Sequence, residues 1–168
     1  MANPRIISLL PSATEMAYAL GLQELLVGVT HECDFPADVR SKRAVVRNAL
    51  PVETMSEREI NAAVSERLRQ GLSLYAVDEV AVRELEPDLI LTQNLCQVCA
   101  PSGNEITQLL GSLPHQPEIV WMTPKSLADV DDNLRQLGAA TDRLAQAEFD
   151  HRRQSKAAAT YQQHHSHH

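Results

Sequence analysis

The chain has 168 residues, of which 43% are hydrophobic and 4% aromatic, and its 15 Lys and Arg against 22 Asp and Glu give a net charge of −7. A chain of this length buries about two thirds of its unfolded surface, which predicts one domain with one core. The acidic balance and the lack of a basic block argue against nucleic acid and anionic membranes, because both attract clustered Lys and Arg. Small molecules and proteins remain as partners.

The sequence predicts no membrane span and no export signal. Its longest apolar runs, such as residues 6–10, are far shorter than the roughly 20 residues that cross a bilayer. The amino end carries one arginine and a short apolar stretch that stops at Pro11, without a cleavage site. As written, the chain is therefore expected in the cytoplasm.

The first elements alternate between strand and helix. Residues 6–10 form an apolar run typical of a strand. Ser12 and Glu15 have the spacing of a capping box that opens a helix, and Gly21 is placed to end it. A second strand is predicted over 25–30.

The alternation continues through the rest of the chain. A short third strand is predicted over 44–46, and Ser56 and Glu59 form another capping box before a helix that Gly71 ends. The later strands are predicted over 72–77, 89–92 and 118–122, with Asp78 and Ser102 opening the helices between them. This order predicts an α/β fold, in which a mostly parallel sheet lies between two layers of helices.

A long helix is predicted after the last strand. After Ser126 the apolar residues keep helical spacing as far as Leu144, and an alanine-rich, charged continuation extends the predicted helix to Tyr161. Gly138 is a point at which this helix can break or kink. The His-rich residues 162–168 are interpreted as a purification tag or a disordered tail.

Three polar loops follow predicted strands, at residues 11–12, 31–36 and 93–101. Parallel sheets bind ligands at the carboxyl ends of their strands, so these loops form the candidate site. Ser12 is either a helix cap or a contact to a carbonyl or anionic ligand group at a helix amino end. Trp121 lies in an apolar strand and is interpreted as a core residue.

The loop from His31 to Asp34 has two interpretations. Its donors, acceptors and thiol suit an amide-rich ligand or a metal, whereas the alternative is a turn in which Asp34 bonds backbone N–H groups. Cys33, Cys96 and Cys99 could form a zinc site together with His31. Because the chain has only one Cys-x-x-Cys pair, reduced thiols that line a cavity are the other interpretation.

No catalytic arrangement is recognisable in the sequence. It lacks a paired Ser, His and acid at recognisable spacing, a glycine-rich phosphate loop and a distinct carboxylate pair. These features favour a binding protein over an enzyme. The alternatives are a zinc- or thiol-dependent protein and a truncated product without independent function.

Four motifs resemble one family. They are Leu10-Pro-Ser-Ala-Thr-Glu15, His31-Glu-Cys-Asp-Phe-Pro36, Pro87-Asp-Leu-Ile-Leu-Thr-Gln93 and Cys96-Gln-Val-Cys-Ala100. In this order they resemble the cobalamin-binding branch of the ABC-transporter substrate-binding proteins. The resemblance implies Rossmann-like lobes joined by a long helix, with cobalamin, haem or a ferric siderophore bound in the cleft between them.

The resemblance divides the chain into an amino-terminal ligand-binding lobe over 1–124, an interlobe-type helix over 125–161 and the tail over 162–168. It implies cobalamin as the ligand and no required cofactor, with an iron siderophore or haem as alternative ligands. The residues that it places at the ligand are Pro11, Ser12, His31, Glu32, Cys33, Asp34, Tyr75, Gln93, Asn94, Cys96 and Cys99.

The resemblance also implies partners. Glu105 matches a surface carboxylate that pairs with arginines of the ABC permease, although it equally fits a capping box with Ser102. The chain ends near the segment that resembles the interlobe helix, so we expect another chain or a homodimer to supply the second wall of the cleft. Members of the family are mostly periplasmic.

Overall fold

A computed structural model describes residues 3–94 and 104–148 of the chain. The strands are β1 (Ile6–Ser8), β2 (Leu26–Thr30), β3 (Arg43–Asn48), β4 (Tyr75–Val77), β5 (Leu89–Thr92) and β6 (Glu118–Trp121). The helices are α1 (Pro11–Ala19), α2 (Glu57–Arg69), α3 (Glu79–Leu85), α4 (Asn104–Ser112) and α5 (Leu127–Ala140). Two short 3₁₀ turns cover Ala37–Ser41 and Val52–Thr54.

The six strands form one sheet in the order β4-β3-β2-β1-β5-β6. Every neighbouring pair is parallel except β3 and β4, which run antiparallel. The predicted α/β fold with a mostly parallel sheet is confirmed. The third strand, predicted over 44–46, is longer than expected and covers Arg43–Asn48.

Side chains alternate between the two faces of the sheet and build a core on each. Ile6 packs on one face with residues of α1 and α5, whereas Ile7 packs on the other with residues of α3 and α4. In β5, Leu89 and Leu91 likewise join the first core, and Ile90 joins the second. A strand buried on both faces has no polar side, which is why these segments read as continuous apolar runs.

Three central strands each end in a buried hydroxyl residue: Ser8, Thr30 and Thr92. The Ser8 hydroxyl donates to the Leu10 carbonyl over 3.0 Å, and the Thr30 hydroxyl accepts from the backbone N–H of Glu32 over 3.5 Å. At β1 and β2 the hydroxyl thus satisfies backbone groups at the point where the sheet hydrogen bonds stop. The loops after β1 and β2 therefore leave the sheet directly at the last residue of each strand.

The first helix begins two residues earlier than predicted. Pro11 occupies its first turn, Leu10 is the N-cap, and no side chain caps the amino end. Proline suits this position because its missing N–H would have no partner in the helix. The predicted capping box of Ser12 and Glu15 was therefore wrong.

The other local signals were accurate. The capping box of Ser56 and Glu59 opens α2, and Asp78 caps α3 by accepting from the backbone N–H of Ala81 over 2.9 Å. Gly21 and Gly71 follow α1 and α2 with φ of 69° and 68°, a left-handed conformation that glycine adopts without strain. The cap predicted at Ser102 lies outside the described residues.

The long helix predicted over 125–161 is interrupted in the described part of the chain. Ser126 caps α5 as expected, but α5 ends at Ala140, Asp142 has φ of 57°, and helical conformation resumes over 144–148. Residues 149–161 of that prediction, and the tail over 162–168, are not among the described residues. The division of the chain at 124 and 161 stays a prediction.

Gly138 allows the chain after α5 to pack closely against α5. The Arg143 N–H donates to the Gly138 carbonyl over 2.6 Å, and a Cβ on Gly138 would lie 2.8 Å from Cβ of Ala147. The chain after α5 therefore folds back onto α5, and Ala147 joins the core between α1 and the sheet. Gly138 does not break the helix itself, because α5 continues for two more residues.

Within 3–94 and 104–148, no helix has both the length and the apolarity that a membrane span needs.

Two Gly→Ala substitutions should have opposite effects on stability. Gly138→Ala should lower the free energy of unfolding by about 1–3 kcal/mol, because the added methyl overpacks the contact with Ala147. Gly111→Ala in α4 should raise it by about 0.5–1 kcal/mol, because nothing lies within 4 Å of the new Cβ and alanine favours helix. Urea unfolding of both variants measures the difference. Equal effects would contradict the close packing at Gly138.

Candidate functional site

The candidate site lies at the edge of the sheet where the parallel strands end. The carboxyl ends of β1, β2, β3, β5 and β6 meet at this edge, which we call the rim. The antiparallel strand β4 contributes its amino end instead, because Tyr75, its first residue, pairs with Asn48, the last residue of β3. The rim thus collects side chains from six strands.

His31, Glu32 and Tyr75 form one cluster on the rim. The Tyr75 hydroxyl donates to Oε1 of Glu32 over 3.1 Å, and the rings of His31 and Tyr75 lie 6.3 Å apart between centroids with a tilt of 59°. His31 and Glu32 are exposed and Tyr75 is half-buried. Residues that are 43 positions apart in sequence therefore present an imidazole, a carboxylate and a phenol together.

A cavity of about 540 Å³ opens beside this cluster. It is lined by His31 and by the segment after β3: Arg47, Asn48, Ala49, Leu50, Pro51 and Glu53. This segment was not predicted as part of the site, because the third strand was expected to end at residue 46 and the residues after it carried no recognisable motif. The signal that could have identified it is Pro51 shortly after a predicted strand, because a turn at the carboxyl end of a parallel strand lies on the rim.

Pro11 and Ser12 line a second cavity of about 540 Å³, between α1 and α5. Its other lining residues are Glu15, Met16, Ala19, Val130, Asp131 and Leu134. Ser12 is exposed in the first turn of α1 and caps no helix, so its hydroxyl is open to a ligand. Its backbone N–H also lies at the positive end of the α1 dipole.

Gln93 and Asn94 directly follow β5 and lie on the rim, on the side of β1 that is opposite to β2. Gln93 is half-buried and Asn94 is exposed, and the backbone N–H of Asn94 donates to the Thr123 hydroxyl over 3.3 Å. Trp121 ends β6 beside Thr92 of β5, and 39% of its surface is exposed. The interpretation of Trp121 as a core residue was wrong, because β6 is an edge strand and its last residue is open to solvent.

Cys33 faces the interior of the protein. Only 6% of its surface is exposed, and its Sγ lies 3.1 Å from the Thr14 hydroxyl. Burial raises the pKa of the Cys33 thiol. The structure thus contradicts the expectation that the Cys33 side chain lines the ligand site.

Asp34 is exposed, and its carboxylate accepts no hydrogen bond from a backbone N–H among the described residues. The turn in which Asp34 bonds the backbone is therefore not present.

The side chains of three predicted site residues lie outside the described part of the structure. Cys96 and Cys99 fall between the two described stretches, and only the backbone of Glu105, in the first turn of α4, is described. In the described parts of the chain, no three His, Cys, Asp or Glu side chains are grouped to hold a metal ion.

Comparison with known proteins identifies several similar proteins that are named vitamin B12-binding proteins. Over 159 residues the chain is 29% identical to the vitamin B12-binding protein of Pectobacterium carotovorum subsp. carotovorum (strain PC1), covering 95% of this chain and 43% of that protein. It is 30% identical over 145 residues to the vitamin B12-binding protein of Vibrio parahaemolyticus, of which it covers 41%. The chain thus spans less than half the length of these curated relatives. No protein-family model matches it.

Solved structures show the same fold. The periplasmic vitamin B12 binding protein of Vibrio cholerae superposes with a TM-score of 0.62 at 24% identity, over 94% of this chain and 50% of that one. A periplasmic heme binding protein from Pseudomonas aeruginosa gives a TM-score of 0.61 at 21% identity, over 96% of this chain and 49% of that one. The chain is therefore similar in sequence to vitamin B12-binding proteins and shares the fold of periplasmic binding proteins for vitamin B12 and haem.

Proposed function

We propose that this chain is the amino-terminal lobe of the substrate-binding component of an ABC importer, and that its rim binds cobalamin or a related corrinoid without catalysis. The observation that carries the proposal is the rim itself, where His31 and Glu32 after β2 meet Tyr75 of β4 and where Trp121 is exposed at the other end, on β6. The names of the curated relatives, which align with up to 95% of the chain, support a corrinoid over other chelates.

The chemistry of the rim suits such a ligand. A corrinoid is a large, flat macrocycle with amide side chains around its edge. Tyr75 and Trp121 offer aromatic surface to a flat ring, whereas Ser12, Gln93 and Asn94 offer a hydroxyl and amides to polar groups at its edge.

The proposed site covers one side of the ligand only. Pockets usually bury about 70–90% of a ligand's surface, whereas a rim on one lobe leaves the opposite face open. We therefore propose that a second lobe, another chain or a second copy of this chain provides the other wall. The affinity of this chain by itself should be correspondingly low.

The remaining partner in this proposal is the permease of the importer. Glu105 stands at the start of α4 and would meet its arginines with a carboxylate, as the family resemblance implies. We propose that the protein acts in the periplasm or on the outer side of the membrane, since the solved structures that it resembles are of periplasmic proteins.

Fluorescence of Trp121 tests ligand binding directly, because this residue is the single tryptophan of the chain. Titration with cyanocobalamin should quench its emission in a saturable way, since cobalamin absorbs where tryptophan emits. The same titration of the urea-unfolded protein corrects for absorption by free ligand. Absence of saturable quenching up to high micromolar concentration would contradict the proposal, and a preference for haem in a competition experiment would overturn the choice of corrinoid.

Substitution of Tyr75 tests the location of the site. Tyr75→Ala should weaken cyanocobalamin binding about tenfold, equivalent to about 1.4 kcal/mol, because it removes the ring and releases Glu32. Tyr75→Phe keeps the ring and should weaken binding less. His115→Ala is the matched control, since His115 contacts the Pro87 carbonyl before β5, at the opposite edge of the sheet. Equal losses in Tyr75→Ala and His115→Ala would argue against the rim.

The zinc- or thiol-dependent alternative is not favoured, because Cys33 is buried and thiolate is the form that binds metals. In a Cys96→Ser, Cys99→Ser background, the Cys33 thiol should react with a thiol reagent far more slowly in the native protein than in urea. The reason is that burial raises its pKa and lowers the fraction of thiolate. Fast native reaction, or one zinc per chain after dialysis of tail-free protein, would restore the alternative.

A further inference from the structure

We propose that His31 binds the cobalt of the corrinoid through Nε2, so that the protein selects corrinoids with an exchangeable axial ligand. This inference rests on the proposed function and assigns the contact at the metal. It follows from the position of the imidazole, from the contacts that hold it, and from the lack of another suitable donor among the described residues of the rim.

One nitrogen of His31 is engaged and the other is open. Nδ1 lies 3.4 Å from the Thr30 hydroxyl. Nε2 has no hydrogen-bond partner within 3–94 and 104–148, and His31 lines the cavity of about 540 Å³ beside the rim. In histidines that bind metals, a hydrogen bond to one ring nitrogen commonly orients the other toward the ion. Thr30 is buried to 99%, so its hydroxyl is a fixed partner.

The backbone and a neighbouring ring hold His31 in place. Its backbone N–H donates to the Val46 carbonyl over 3.2 Å, which ties the end of β2 to β3. The Tyr75 ring lies against the imidazole at a tilt, and its hydroxyl is bonded to Glu32. A donor that is held before the ligand arrives loses less entropy on binding.

Other donors near His31 are less suited to cobalt. Cys33, two residues away, faces the core, where only 6% of its surface is exposed and its Sγ lies 3.1 Å from the Thr14 hydroxyl. The Tyr75 hydroxyl is bonded to Glu32, and Arg47, which lines the cavity, carries no lone pair for a metal and pairs with Asp78 over 3.6 Å. Imidazole nitrogen is also a better ligand for a late first-row metal than a carboxylate oxygen.

The proposed step is a ligand exchange without electron transfer. In aquocobalamin, Co(III) carries an axial water that exchanges. The Nε2 lone pair forms the Co–N bond, the Co–O bond breaks, and the water leaves with both of its protons. Cyanocobalamin holds its axial cyanide firmly, so it should occupy the same rim without this bond.

The test compares two cobalamins in a chain whose tail cannot interfere. His164, His165, His167 and His168 are replaced by alanine, because any of them could bind cobalt in solution. Aquocobalamin should then show the visible absorption change of water replaced by imidazole, together with quenching of Trp121. Cyanocobalamin should quench Trp121 and show no such absorption change.

Two histidine variants in the same background identify the donor. His31→Gln should abolish the absorption change and weaken aquocobalamin binding by about ten- to a hundredfold, the range by which disturbed metal sites lose affinity. Its affinity for cyanocobalamin should change less than about twofold, since that complex lacks the bond. His115→Gln should leave both ligands unaffected, because His115 contacts Pro87 at the other edge.

Nitrogen NMR on the diamagnetic Co(III) complex gives a readout that folding defects cannot imitate. In protein labelled with ¹⁵N in histidine, the Nε2 resonance of His31 should shift on binding of aquocobalamin and stay near its free position on binding of cyanocobalamin. Saturable quenching without the absorption change and without this nitrogen shift would overturn cobalt ligation and leave the proposed function standing. No quenching by either cobalamin would overturn the proposed function itself.

Discussion

The antiparallel pairing of β4 with β3 is the constraint on which the candidate site depends. All other strand pairs are parallel, so their carboxyl ends meet at one edge of the sheet. Only a strand of opposite direction can bring its amino end to that edge. Because Tyr75 pairs with Asn48, its ring meets His31 and its hydroxyl meets Glu32. A parallel β4 would have left Tyr75 at the far edge.

Neighbouring residues at the end of β2 differ in burial, so that some are open to a ligand and others belong to the core. Thr30 is buried and uses its hydroxyl for the loop, His31 and Glu32 face solvent, and Cys33 turns back to Thr14 in the core. The soft thiol is thereby withdrawn, while the imidazole and the carboxylate stay on the rim. The loop for which composition suggested a metal site thus presents an imidazole and a carboxylate to solvent and buries its thiol.

An open rim binds differently from a closed pocket. It covers one side of a bulky ligand, so buried area contributes little and directional contacts contribute more to selectivity. A bond from His31 to cobalt would be such a contact, and the aromatic surface of Tyr75 would support the ring beside it. A second wall would then add affinity without having to recognise the metal.

The sequence by itself predicted most of the elements and the edge of the sheet that carries the candidate site. Apolar runs, the capping box at Ser56 and the glycine after α1 are local signals, and local backbone physics suffices to interpret them. It could not decide the direction of β4, the exposure of Trp121 or the inward turn of Cys33, because each depends on which distant segment lies alongside. The break after α5 belongs to the same class, since Gly138 acts through its contact with Ala147. Tertiary packing decided these features, because a side chain's neighbours are set by the whole sheet and not by adjacent residues.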